Sequence, residues 1–122
     1  MKSFLTLALI AMLSTAALAA DGPIKHVVSF KFKPDASAEA IHQVEADFAA
    51  LKGKIPVVQS LEWGTNVSPE KHDKGFTHCW IATFKNAADR DAYLVDPAHK
   101  AFAGSLKGII DDVFVIDFVP HE

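Results

Sequence analysis

The sequence is poor in cysteine. Cys79 is the only one among 122 residues, so an intrachain disulfide is excluded and only an interchain bridge stays open. Because Cys79 lies in an apolar, strand-like segment, we expect it to pack as a small buried side chain rather than to act as a reactive thiol.

Positive charge is scarce as well. The chain has 12 Lys and Arg against 15 Asp and Glu, and the basic residues are scattered along it. Without a basic stripe, nucleic acid is not an expected partner.

The sequence also has no Gly-rich phosphate loop, Ser-His-Asp pattern or paired carboxylate motif. Phosphate binding by such a loop, catalysis by a serine triad and catalysis by two carboxylates are therefore not indicated.

Long apolar runs are limited to the N-terminus. Lys2 precedes the apolar run 4–13, and Ala-Leu-Ala at 17–19 resembles a cleavage site, a pattern typical of a secretory signal peptide. We expect residues 1–19 to be removed, leaving 20–122 as one secreted or periplasmic domain with no membrane attachment. An uncleaved anchor is the alternative, although the run is shorter than the roughly 20 residues that a spanning helix needs.

Strand-like and helix-like apolar patterns alternate along residues 20–122. Strands are predicted at 24–33, 57–67, 76–84 and 113–119, and helices from Ser37 to about Gly53, at 86–95 and from Pro97 to about Lys107. The order βαββαβ predicts an α+β, ferredoxin-like protomer, with a four-stranded antiparallel sheet and helices on one face.

The last predicted strand is apolar on both faces. Val113 and Val115 alternate with Phe114, Ile116 and Phe118. Helices cover one face of the sheet, and a chain of this length has no third layer for the other. A second copy of the sheet would cover it, so we predict a homodimer whose sheets pack face to face.

The segment YLVDPAHKAF, residues 93–102, contains a break that a single helix would not need. Pro97 disfavours helical geometry at Asp96 and suits the first position of a new helix, where Asp96 becomes the N-cap. His99 then lies in the first turn, where the helix dipole disfavours the imidazolium form, and a neutral imidazole can act as a base. The alternative is an ordinary helix start against which His99 merely packs.

Two further histidines lie on predicted strands. If the sheet face of His26 and His78 meets the helices, both converge with Tyr93 and His99 on one cavity lined by Phe30, Phe48, Trp80 and Phe102. A mostly apolar pocket with a few polar groups is typical of a site for a small organic ligand. Alternatively, His26 and His78 are hydrogen-bonded structural histidines. No HxH or HxxxH spacing occurs, so neither a metal nor another cofactor is expected.

Five segments in order resemble the stress-responsive α/β-barrel family, also called the dimeric α/β-barrel or Dabb domain. They are KHVVSFKFK at 25–33, KIPVVQSLEWGTNV at 54–67, GFTHCWIATF at 75–84, YLVDPAHKAF at 93–102 and VFVIDF at 113–118. The resemblance covers nearly all of residues 20–122. It implies a ferredoxin-like protomer whose sheet pairs with a second copy to form a dimeric α/β barrel.

The resemblance extends to plant polyketide cyclases of that family. It implies catalytic roles for Tyr93 and His99 and places His26 and His78 at matching strand positions. The sequence departs from the cyclases at Asp96, where they have a histidine, and at the cavity positions Val44 and Trp80, so substrate identity does not carry over.

Two functions are compatible with these features. The first is an exported Dabb-domain dimer that binds a small apolar or aromatic ligand, in a stress-related role without turnover. The alternative is a cofactor-independent cyclase, lyase or isomerase acting on a small, polyketide-like carbonyl compound, with His99 as general base and Tyr93 as its partner.

Overall fold

A computed structural model of the protein describes residues 22–122. The elements, in chain order, are β1 Ile24–Phe32, α1 Ala38–Lys54, β2 Ser60–Thr65, β3 His78–Phe84, α2 Ala87–Val95, α3 Pro97–Ser105 and β4 Ile110–Phe118. The predicted order βαββαβ is confirmed, with the second helix divided into α2 and α3. The predicted signal peptide, residues 1–19, lies outside the described residues.

The four strands form one antiparallel sheet in the order β2-β3-β1-β4. At the centre of β1, Val28 is paired with Trp80 of β3 on one side and with Val115 of β4 on the other. Sequence neighbours β1 and β2 are therefore separated by β3, and β4 forms an edge beside β1. This topology confirms the predicted ferredoxin-like fold.

The helices pack on one face of the sheet, and the core lies between the two layers. Alternation along β1 buries the even positions Ile24 to Phe30, and α1 presents Val44, Phe48 and Leu51 at helical spacing. The Phe48 ring stacks on Trp80 with 4.1 Å between centroids. Full burial of each large apolar side chain contributes about 1.5–3 kcal/mol to the free energy of folding.

The strand boundaries differ from those predicted by pattern alone. β2 begins at Ser60 rather than 57, because Val58 donates a backbone hydrogen bond to Ile55 and is buried in a turn that follows α1. β4 begins at Ile110, ahead of two aspartates, because Phe32 and Lys31 of β1 supply pairing partners there. Pairing with β1 thus overrides the low strand propensity of aspartate.

The expectation that Cys79 is buried is wrong. Its pairing with Ser29 and Gly64 places it on the sheet face opposite the helices, where it is exposed in the protomer. The same face carries Phe114 and Ile116, which are 52% and 49% exposed. Among the described residues, no helix combines the length and apolarity needed to cross a membrane.

Candidate functional site

The break at Asp96-Pro97 positions two ring side chains on separate helices. Asp96 ends α2, since its N–H donates to the Tyr93 carbonyl, and it begins α3, since its Oδ1 accepts from the Ala98 N–H at 2.8 Å. The predicted N-cap is therefore present. Pro97 at the first helical position fixes the direction in which α3 leaves.

His99 lies in the first turn of α3 and reaches back to the end of α2. Its Nδ1 is 3.2 Å from the Leu94 carbonyl oxygen, which can only accept, so Nδ1 carries the proton. Leu94 is in the last turn of α2, where backbone carbonyls lack helical partners. In the neutral ring, Nε2 is then the basic nitrogen. Desolvation by burial lowers the pKa of His99 and so favours this neutral form.

Tyr93 is packed against His99 with 4.5 Å between ring centroids. Tyr93 is only 1% exposed, and on the sheet side the centroid of the Phe84 ring lies 5.0 Å from the centroid of the Tyr93 ring. Burial raises the pKa of Tyr93 to about 12, so the phenol keeps its proton at neutral pH. Tyr93 is therefore a hydrogen-bond donor beside a neutral imidazole.

A partly buried polar chain crosses from the sheet to α2 at the same place. The Nδ1 of His26 is 2.6 Å from Oδ1 of Asp117 on β4, and Oδ2 of Asp117 accepts from Arg90 of α2 at 2.8 Å. Arg90 also donates to Asp91 at 2.9 Å. His26 in turn makes an edge contact with Tyr93, with 5.9 Å between centroids. Because Asp117 accepts at both oxygens, it fixes the orientation of His26 and ties β4 to α2.

A cavity of about 1100 Å³ runs along β4 between that strand and the helices. Its polar end is formed by His26, Tyr93, His99, Arg90, Asp91 and Asp117. The apolar middle includes Val28, Phe30, Phe48, Phe102, Val113 and Val115. The distance along the strand from Asp111 to Asp117 is about 20 Å. The volume lies just above the range of about 300–1,000 Å³ typical of sites for small organic ligands.

The structure brings together six of the eight residues expected at the site. His26, Tyr93 and His99 meet at its polar end, and Phe30, Phe48 and Phe102 line its apolar part. The antiparallel register places His26 and the β1 phenylalanine on the helix-covered face, as the alternation predicts.

His78 and Trp80 do not line this cavity, which corrects the expected convergence of all eight residues. The register places His78 beside Phe30, about 13 Å along β1 from His26. There its Nε2 is bonded to Glu45 of α1 at 2.7 Å, and its Nδ1 to Thr77 at 2.9 Å. Trp80 is fully buried between the rings of Phe48 and Trp63. Both residues hold α1 against the sheet.

Sequence reasoning did not find Asp117 and Arg90. The available signal was Asp117 itself, a carboxylate within the apolar strand VFVIDFV, because such a residue needs a partner once the strand is covered. Arg90 gave no signal, since arginine is ordinary on a helix surface. Within residues 22–122, no group of three or more His, Cys, Asp and Glu side chains is arranged to hold a metal ion.

Comparison with known sequences identifies relatives along almost the whole described region. The family model "Stress responsive A/B Barrel Domain" matches residues 24–120. The stress-response A/B barrel domain-containing protein HS1 of Arabidopsis thaliana is 37% identical over 83% of this chain and 93% of its own. Olivetolic acid cyclase of Cannabis sativa is 23% identical over 81% of this chain and 98% of its own.

Solved structures share the fold at similar coverage. The hydroxynitrile lyase of Passiflora edulis superposes with a TM-score of 0.78 and 27% identity, over 84% of this chain and 96% of that one. A dimeric protein of unknown function with a ferredoxin-like fold, from Bacteroides fragilis, has a TM-score of 0.66 and 27% identity, over 81% and 97%. Together with the match of the family model, these likenesses show that the chain belongs to the stress-responsive A/B barrel (Dabb) family.

Proposed function

We propose that the protein is a cofactor-independent enzyme that moves a proton on a small carbonyl compound, with His99 as general base. The observation that carries this proposal is the hydrogen bond from His99 Nδ1 to the Leu94 carbonyl. It leaves Nε2 as the basic nitrogen of a neutral ring at the polar end of an apolar cavity.

The proposed reaction begins with removal of a proton from the carbon next to a carbonyl group. Nε2 of His99 takes the proton, and negative charge develops on the carbonyl oxygen as an enolate forms. Tyr93 donates a hydrogen bond to that oxygen, because its raised pKa keeps the phenol protonated. The imidazolium then returns its proton to the product.

His26 completes the polar end of the cavity. Asp117 fixes the orientation of its ring through Nδ1, as a carboxylate orients the histidine in many acid–base sites. The ring edge lies against Tyr93, so displacement of His26 would also displace the phenol. We assign His26 a positioning role toward Tyr93.

Activities within the family support a proton-transfer reaction. One relative is named olivetolic acid cyclase, and one structural neighbour is a hydroxynitrile lyase. Cleavage of a hydroxynitrile requires a base that takes the hydroxyl proton as cyanide leaves. Ring closure through an enolate requires two groups, a base for the carbon-bound proton and a donor to the carbonyl oxygen. The site of this chain contains both groups.

Binding without turnover is the second candidate function. It is favoured by the apolar middle of the cavity, where Val113 and Val115 are each 50% exposed and offer surface to a hydrophobic or aromatic molecule. In this reading His99 and Tyr93 contact the ligand but transfer no proton.

An assay against a panel of poly-β-keto, aromatic carbonyl and hydroxynitrile compounds distinguishes the two candidates. Turnover by the wild type, lost in His99→Gln and reduced in Tyr93→Phe, supports catalysis. His42→Gln is the matched control, because His42 is exposed on α1 and does not line the cavity. Binding detected by thermal shift without turnover of any compound would support the second function instead.

We also propose that the protein acts as a homodimer outside the cytoplasm. Dimeric ferredoxin-like neighbours and the exposed Phe114 and Ile116 support the dimer. The apolar run 4–13 followed by Ala-Leu-Ala supports export.

A further inference from the structure

We propose that the cavity selects an uncharged carbonyl compound and excludes carboxylates. This inference rests on the proposed function of the site, but it concerns the charge of the ligand, which that function leaves open. The charged side chains that line the cavity lie at its two ends, and those at the polar end are already bound to one another.

Arg90 is the only cation at the polar end among the described residues that line the cavity. Its Nη1 donates to Asp117 and its Nε donates to Asp91, at 2.8 and 2.9 Å. One guanidinium thus faces two carboxylates, and the three groups together carry a net negative charge. A ligand carboxylate placed there would be repelled by Asp117 and Asp91 more than it is attracted by Arg90.

The other lining cation, Lys107, lies at the far end of the cavity. It follows α3, close to the start of β4, where Asp111 and Asp112 also line the cavity. About 9 Å of helix separates His99 from the end of α3 that Lys107 follows, so the attraction of Lys107 for an anion beside His99 is weak.

The apolar middle of the cavity offers no compensation. Its lining is aliphatic and aromatic, so a carboxylate located between the two ends would lose part of its hydration without gaining a partner. A ketone or aldehyde oxygen needs only one donor, and Tyr93 supplies it.

The test compares two ligands that share one ring system, 2-acetonaphthone (a methyl ketone) and 2-naphthoate, by calorimetric titration of the full protein at pH 7.5 and low salt. We expect the ketone to bind about tenfold more tightly or better. Asp91→Asn should narrow that ratio roughly threefold by removing one negative charge beside Arg90. Asp35→Asn is the control, since it makes the same charge change at an exposed turn that does not line the cavity.

Equal or tighter binding of 2-naphthoate would overturn the inference, as would failure of both ligands to bind. If Asp91→Asn left the ratio of the two affinities unchanged, the aspartates would not be the cause of the selectivity. That result would also overturn the inference. Selective binding of the ketone without turnover of any uncharged carbonyl would leave the inference standing and contradict the proposed function. Turnover of a carboxylate compound would support the proposed function and contradict the inference.

Discussion

At the scale of single residues, His99 is the base on which the proposed reaction depends. We predict that His99→Gln lowers kcat/KM by roughly 10²-fold or more, because a positioned acid or base contributes at least that much. Tyr93→Phe should lower kcat/KM as well, by removing the donor to the enolate oxygen. Steady-state rates, measured after urea denaturation has shown comparable stability, check this prediction, and a variant without His99 that retains wild-type turnover would contradict it.

The lowered pKa of His99 predicts a pH dependence of stability. The unfolded chain binds a proton at His99 near pH 6.5, whereas the folded protein binds it only at lower pH. Stability contributed by the neutral ring is therefore present above pH 6.5 and is lost as the pH falls from there through the folded-state pKa. Between pH 7.5 and pH 5.5, the wild type should lose more free energy of unfolding than His99→Gln. Equal losses of free energy of unfolding in the two proteins would contradict the lowered pKa of His99.

Asp117 and Asp91 allow a matched comparison at Arg90. Asp117 is 23% exposed and also binds His26, whereas Asp91 is 67% exposed and binds only Arg90. We expect Asp117→Asn to cost about 1–3 kcal/mol, because it weakens two partly buried contacts at once. Asp91→Asn should change stability by less than about 1 kcal/mol, as expected for an exposed pair. Urea denaturation of both variants tests this difference, which similar costs would refute.

At the scale of elements, the break between α2 and α3 is set by local chemistry. Asp96 supplies the cap of α3, and His99 satisfies a carbonyl at the end of α2. We predict that Asp96→Ala destabilises the protein by about 1 kcal/mol through loss of the N-cap, while Asp96→Asn retains most of the stability because it keeps the acceptor. Chemical denaturation of the pair checks this, and equal destabilisation by both substitutions would contradict the capping role.

The same break shows which features the sequence predicts well. Proline, an N-cap side chain and an apolar period act over a few residues, so the start of α3 and the position of His99 follow from the sequence. Contacts between segments that are distant in the chain do not follow from the sequence. The Asp117–Arg90 pair, the Glu45–His78 pair and the early start of β4 depend on strand register, which periodicity alone does not determine.

At the scale of the whole molecule, the sheet face opposite the helices is proposed as the dimer interface. Phe114, Ile116 and Phe118 are 52%, 49% and 47% exposed on it, which leaves a contiguous apolar strip in the protomer. Sedimentation should give twice the protomer mass for the wild type and the protomer mass for Ile116→Asp. Val95→Asp, on the helix layer, should remain dimeric although Val95 is 63% exposed. A monomeric wild type would contradict the proposed interface.

Export is a property of the whole chain as well. Mass spectrometry of the protein recovered from the periplasm of a Gram-negative host should give an N-terminus at Ala20, since small residues occupy 17 and 19. Recovery of the full 122-residue chain in the cytoplasm would contradict cleavage.

Exchange of carbon-bound protons tests proton transfer by His99 most directly. In D₂O, a base that removes a proton next to a carbonyl replaces the methyl protons of acetophenone with deuterium, and ¹H NMR follows the loss of the methyl signal. We predict that the wild type accelerates this exchange above the buffer rate and that His99→Gln loses the acceleration by roughly 10²-fold. Exchange at the buffer rate with wild-type protein, or equal acceleration by His99→Gln, would contradict the account.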